Sequence, residues 1–236
     1  MALRNDMQFT WLGHATFKIT SPKGKQVLID PWVMHNPSCP AELQKFDRLD
    51  LMLVTHGHFD HIADAVELGK KHKPRTICNY ETSVWLESKG VENLVGMNKG
   101  GTVELDGIRV TMVSADHSCG ILDDGKIIYG GDPAGFVVEF ENGFKIYHAG
   151  DTNVFGDMKL IGELYRPDVA LLPIGSHYTM GPREAAHAIR LLGVKRVIPM
   201  HYGTFPILRG SPGQLRELTA DIPGLEIHEL KPGQSV

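Results

Sequence analysis

The chain has 236 residues, 42% of them hydrophobic and 22% charged, which suits one large core or two small ones and gives no sign of a fibrous or disordered class. A formal net charge of −4 with no dense Lys/Arg block argues against a surface built to neutralise nucleic-acid phosphates. No apolar run approaches the ~20 residues of a membrane span, and Met1 to Thr10 lacks a basic start followed by an apolar core; the expected location is the cytoplasm. The three cysteines, Cys39, Cys78 and Cys119, are odd in number and show no CxxC spacing. That fits a reducing compartment and no disulfide framework. Cys119 lies two residues after His117, but a small buried filler is the stronger reading.

In chain order, Phe9 to Thr20 and Gln26 to Ile29 are predicted as strands flanking the turn Ser21-Pro22-Lys23-Gly24. Leu51 to Val54 reads as a buried strand. Ile62 to His72 follows as a helix stopped before Pro74, then a strand at Arg75 to Cys78 and a helix from Glu81 to Lys89 ending at Gly90. Strands return from Gly101 to Ala149, with Asp106-Gly107 and Asn142-Gly143 predicted as two-residue hairpin turns. The last third alternates. Asn153 to Tyr165 is predicted helical and Asp168 to Ile174 a strand. A helix opens at Gly181-Pro182 and closes at Gly193, and Lys195 to Met200 is a strand. Ser211-Pro212-Gly213-Gln214 is a capping-box start for a helix to about Ala220, and Leu225 to Leu230 is a final strand. Strands, helices, strands, helices is an α/β order that two face-to-face sheets with helices outside would satisfy, and nothing divides 1–236 into separate domains. The order repeats weakly, without a fixed period.

The run Thr55-His56-Gly57-His58-Phe59-Asp60-His61 carries the chemistry. Residues two apart in extended backbone point the same way, so His56 and His58 can face one ion, with Asp60 and His61 in reach of a second. A solvated, merely histidine-rich loop is the bland alternative, and packing has no use for such a cluster. Four more signals fall at strand ends: Asp30 before Pro31, His117, Asp151 and His201. Each alone reads as a surface or supporting group; together they point to a metal site.

This ordered set resembles the five motifs of the metallo-β-lactamase superfamily over roughly residues 7 to 232. The text Trp11-Leu12-Gly13-His14-Ala15-Thr16, Met180-Gly181-Pro182 and Met200-His201-Tyr202-Gly203-Thr204-Phe205-Pro206 is similar, more narrowly, to metal-dependent hydrolases related to ascorbate-6-phosphate lactonases and N-acylphosphatidylethanolamine phospholipase D. The resemblance implies a four-layer αββα sandwich. It also implies one ion on His56, His58 and His117, a second on Asp60, His61 and His201, and Asp151 bridging them. Asp30 would then brace the histidine loop without ligating. Two divalent ions, Zn²⁺, Mn²⁺ or Fe²⁺, suit this thiolate-free donor set. The secreted β-lactamases place Cys where Asp151 stands here, so antibiotic hydrolysis is not the expected role.

The implied chemistry is hydrolysis of an ester, lactone or phosphodiester of a small substrate by a hydroxide shared between the ions, with Asp60 in the catalytic constellation. His177, in a loop after a strand, is expected to bind substrate or protonate a leaving group. His14 is expected at the pocket rim, also on substrate, and His148 as a hydrogen-bonded support. His35, His72, His187 and His228 belong to no constellation. The alternative is a mononuclear-iron redox enzyme of the sulfur dioxygenase type. Flavin-linked relatives usually carry Glu where His58 stands and an attached flavodoxin domain, and this chain has neither. A scaffold that has lost its chemistry would have lost ligands, and all seven expected positions are filled. Substrate identity, native metal and oligomeric state are not written in the motifs.

Overall fold

A computed structural model describes Leu3 and residues 6–236, so most of the start Met1 to Asn5 lies outside the described residues. Contacts divide the chain into two compact units. The first holds residues up to Lys99 with Ser118–Pro133 and Lys231–Val236, and the second holds Gly100–His117 with Ala134–Leu230.

The first unit is built on a six-stranded sheet in sequence order: Gln8–Trp11, Phe17–Thr20, Gln26–Ile29, Leu51–Leu53, Arg75–Asn79 and Leu94–Met97. The first three strands pair antiparallel and the last three join in parallel. Leu51–Leu53, in the parallel part, is buried at every residue, as a strand covered on both faces must be. Leu28, Met52, Leu68, Cys78 and Leu86 share the unit's apolar core. A two-stranded ribbon, Gly120–Asp123 with Lys126–Tyr129, completes it.

The text from Phe9 to Thr20 forms two strands, interrupted by the loop that carries His14. Gly13 and His14, both at positive φ, turn the chain back, and Thr16 N donates to Gly13 O. The predicted helix from Ile62 to His72 is also interrupted, into a single turn Phe59–Ile62 and a helix Ala65–His72. The cause is Asp64. Its amide donates to Pro31 O, outside the helix, and its buried carboxylate accepts from Val33 N and Met34 N. The helix Tyr80–Ser88 starts where Asn79 Oδ1 accepts from Thr82 N.

The second unit repeats the scheme in a seven-stranded sheet. Thr102–Leu105, Ile108–Ser114, Ala134–Glu139 and Lys145–His148 pair antiparallel; Val169–Pro173, Arg196–Met200 and Glu226–Ile227 continue it in parallel. Asp106-Gly107 is the expected two-residue turn, both residues at positive φ. Asn142-Gly143 is not: Phe140 N still donates to Phe144 O, leaving a three-residue loop in which only Gly143 is left-handed. The helix expected from Asn153 begins only at Met158, and Asn153 N instead donates to Asp116 O. The helix Pro182–Leu192 ends at left-handed Gly193, and Ser211 and Gln214 form the capping box as expected. The last strand is only Glu226–Ile227 rather than Leu225 to Leu230. The next donor along its neighbour would be Pro199, which has no N–H.

Strand direction decides where the chemistry can gather. Antiparallel steps taken in pairs restore direction, so the strands before His14, Asp30 and the histidine run end at the same edge of the first sheet. The strands before His117, Asp151, His177 and His201 likewise end at one edge of the second. Among the described residues no helix is long and apolar enough to cross a membrane.

All three cysteines are buried and free. Burial pushes the Cys39 thiol up to about 12 and raises Cys78 and Cys119 as well. Thiolate is the reactive form, so at pH 7 to 8 the native protein is expected to react with a thiol reagent only slowly, and with three equivalents once unfolded. A fast native-state equivalent would contradict this burial.

Candidate metal centre

In the first unit the histidine loop is organised around Asp30. This residue is fully buried and sits in the left-handed region at φ 50°. Its Oδ1 accepts from Thr55 N at 2.8 Å, and its Oδ2 accepts from Thr55 Oγ1 at 2.8 Å and from His61 Nδ1 at 2.7 Å. These contacts fix tautomers. A carboxylate offers no proton, so His61 carries its hydrogen on Nδ1 and presents Nε2 as the basic nitrogen. The Thr55 hydroxyl has already given its hydrogen to Asp30, so at 3.0 Å it accepts one from His56 Nδ1. His56 is therefore also an Nε2 ligand type.

His58 is turned the other way. Its Nε2 lies 3.3 Å from Ser118 Oγ, and its Nδ1 lies 3.1 Å from His56 Nε2. Two nitrogens each about 2.0 Å from one tetrahedral ion stand roughly 3.3 Å apart, so this pair fits a shared cation. The loop can bend this tightly because position 57 is glycine: a Cβ there would lie 2.4 Å from Ile121 Cγ1. Gly57 N donates to Cys119 Sγ, which donates in turn to Gly130 O. Cys119 thus pins the loop as a buried thiol.

Asp60 and His61 lie on the single turn Phe59–Ile62. Asp60 Oδ2 is 3.8 Å from His61 Nε2 and 2.9 Å from His14 Nε2. His14, expected at a pocket rim, is fully buried here. One ligand atom from each of His14, Asp60 and His61 lies within 4.8 Å of the others.

In the second unit His117, Asp151 and His201 each follow a strand. Asp151 Oδ2 is 3.0 Å from His201 Nε2 and 3.6 Å from His117 Nε2. Hydrogen bonds knit the loops that carry them: Asp116 N donates to Thr152 Oγ1, and Met180 N donates to Thr152 O. His148, fully buried, accepts from Gly150 N through Nδ1 at 3.2 Å and shapes the turn into Asp151. Gly175 lies so close to His201 that a Cβ would meet its carbonyl oxygen at 2.0 Å. His177 is exposed on the adjacent loop, its ring edge-on to Tyr178.

Asp30, Thr55 and the loop geometry account for the first unit's donors; sequence reading named Asp30 but gave Thr55 no role. The family model described as a Beta-lactamase superfamily domain matches residues 25–202. The chain belongs to the metallo-β-lactamase superfamily. It is a metal-dependent hydrolase of that superfamily, and its fold is the superfamily's. It is 54% identical to a UPF0173 metal-dependent hydrolase of Koribacter versatilis, covering 97% of each chain. It is 48% identical to a second, from Methanopyrus kandleri, covering 97% of this chain and 99% of the other. Among solved structures, the metallo hydrolase Igni18 of Ignicoccus hospitalis shares 36% identity with a TM-score of 0.85, covering 98% of this chain and 97% of the other.

For this superfamily hydrolase Thr55→Val removes the hydroxyl while keeping the shape. It takes a donor from Asp30 and an acceptor from His56. Metal affinity in a chelator competition is expected to fall about 10- to 100-fold. Unaltered affinity would show that the hydroxyl does not set the His56 tautomer.

Proposed function

We propose that the chain hydrolyses an ester, lactone or phosphodiester bond of a small molecule with two divalent ions, Zn²⁺, Mn²⁺ or Fe²⁺. His56, His58 and His117 would hold one ion and Asp60, His61 and His201 the other, with Asp151 shared. One carboxylate oxygen carries this reading: Asp151 Oδ2 has the imidazole nitrogens of both His117 and His201 beside it, as a carboxylate shared by two ions would. Superfamily membership and the His56–His58 nitrogen pair support it.

When bound, such a pair activates water at neutral pH and polarises the scissile carbonyl or phosphoryl oxygen. The chain's own part is orientation. Asp30 holds His61 directly and His56 through Thr55, so both rings are set before any ligand arrives. Water adds to the carbonyl carbon or phosphorus, and the bond to the leaving oxygen breaks. That oxygen needs a proton, and His177, exposed beyond the strand Val169–Pro173, is the group proposed to deliver it.

Metal analysis of the purified protein should return two ions per chain. Asp60→Ala is expected to lose one of them and at least ~100-fold in turnover, a loss in keeping with removing a ligand of a catalytic metal. Wild-type metal content and rate in that variant would refute the ligand assignment. His177→Ala should slow substrates with alkoxide leaving groups by ~10²-fold or more and spare nitrophenyl esters, whose leaving group needs no proton. Equal slowing of both would remove His177 as the proton donor.

A further inference from the structure

His14 stands where a carboxylate needs a fixed partner. It is fully buried, and its Nε2 is 2.9 Å from Asp60 Oδ2. Asp60 sits at the second position of a one-turn helix, too short to hold a side chain by itself. An unguided Asp there has rotamers to choose from.

The scaffold behind His14 is costly and overdetermined. Gly13 and His14 both take positive φ, at 98° and 56°. For a histidine that conformation costs about 1 to 2 kcal/mol. Four contacts hold the turn: Trp11 Nε1 donates to His14 O at 2.9 Å, Thr16 N donates to Gly13 O at 3.0 Å, Leu12 N donates to Thr16 O at 2.9 Å, and Asn36 Nδ2 donates to Gly13 O at 3.4 Å. A Cβ on Gly13 would come within 2.8 Å of Ser38 Cβ, so any side chain there adds crowding to the strain of its φ. Edge-on packing of the imidazole against Trp32, at 5.1 Å between centroids, fixes its plane. All of this orders one ring, and the ring points at one oxygen.

We propose that His14 is a positioning residue that donates a hydrogen bond from Nε2 to Asp60 and aims that carboxylate, rather than a group that touches substrate. The inference rests on Asp60 being a ligand of the second ion. His14 and Asp60 would then do for one carboxylate what Asp30 does for two imidazoles: supply the contact that keeps the donor in place before the ion binds. This is how a buried histidine on a strained turn serves a site without meeting substrate.

The test is metal binding by the full chain, read by calorimetric titration with Zn²⁺ for each of the two sites. His14→Ala should weaken the second site about 10- to 100-fold and leave the first unaltered. His14→Gln, whose side-chain amide can still donate to Asp60 but is a poor metal ligand, should recover to within about threefold of wild type. If His14→Ala binds both ions as wild type does, the proposal fails. If His14→Gln is as weak as His14→Ala, a bound metal rather than a hydrogen bond accounts for the ring, and the proposal fails as well. Asp60→Ala separates the two levels: if it keeps the second ion, the reading of Asp60 as a ligand falls; if it loses that ion while His14→Ala keeps it, only the role of His14 falls.

Discussion

Asp30 is a buried carboxylate that must be satisfied by its own chain, and the histidine loop satisfies it. An amide, a hydroxyl and an imidazole N–H converge on its two oxygens at 2.7 to 2.8 Å. Removing any one of the donors would leave a buried acceptor short, at a cost of about 1 to 3 kcal/mol. The imidazole contact fixes which nitrogen of His61 is basic, and the hydroxyl, committed to Asp30, does the same for His56. Stability and ligand chemistry are thereby tied to a single residue, and the loop cannot relax into another arrangement without exposing that cost.

The backbone contributes a second constraint. His14, Asp30, His177 and His201 all lie at positive φ, a conformation that side-chain-bearing residues avoid. Each comes just after a strand or on the loop that leaves it, where the chain must turn sharply to aim a side chain along the sheet edge. Strain of this kind concentrates where geometry has to be held for chemistry. Here the surrounding glycines absorb the crowding: Gly57 against Ile121, Gly13 against Ser38 and Gly175 against the carbonyl of His201.

Much of this was legible in the residues. The buried strand before His56, the hairpin turn at Asp106-Gly107, the Pro182 start and the Ser211 capping box all follow from local chemistry that tertiary contacts did not override. The departures come from hydrogen bonding that local pattern does not show. Asp64 breaks a continuous helical pattern because Pro31, Val33 and Met34 claim its polar groups from 30 or so residues away. Asn153 N turns to Asp116 O outside the helix, and the Phe140–Phe144 pair makes a three-residue loop of an apparent two-residue turn. The Asp124-Gly125 turn of the ribbon, both residues at positive φ, was an overlooked signal of the same type as Asp106-Gly107. At the site, the donor types could be read from spacing, but not which ring nitrogen each histidine presents. That depends on Thr55, an unremarkable residue until Asp30 is seen beside it.

Crystals of the full chain grown with Mn²⁺ and measured near the manganese absorption edge would test the central claim directly. Two anomalous peaks about 3.5 to 4 Å apart are expected, with Asp151 touching both and the Nε2 atoms of His56 and His61 each facing one. A single peak, or two peaks bound away from these side chains, would contradict it.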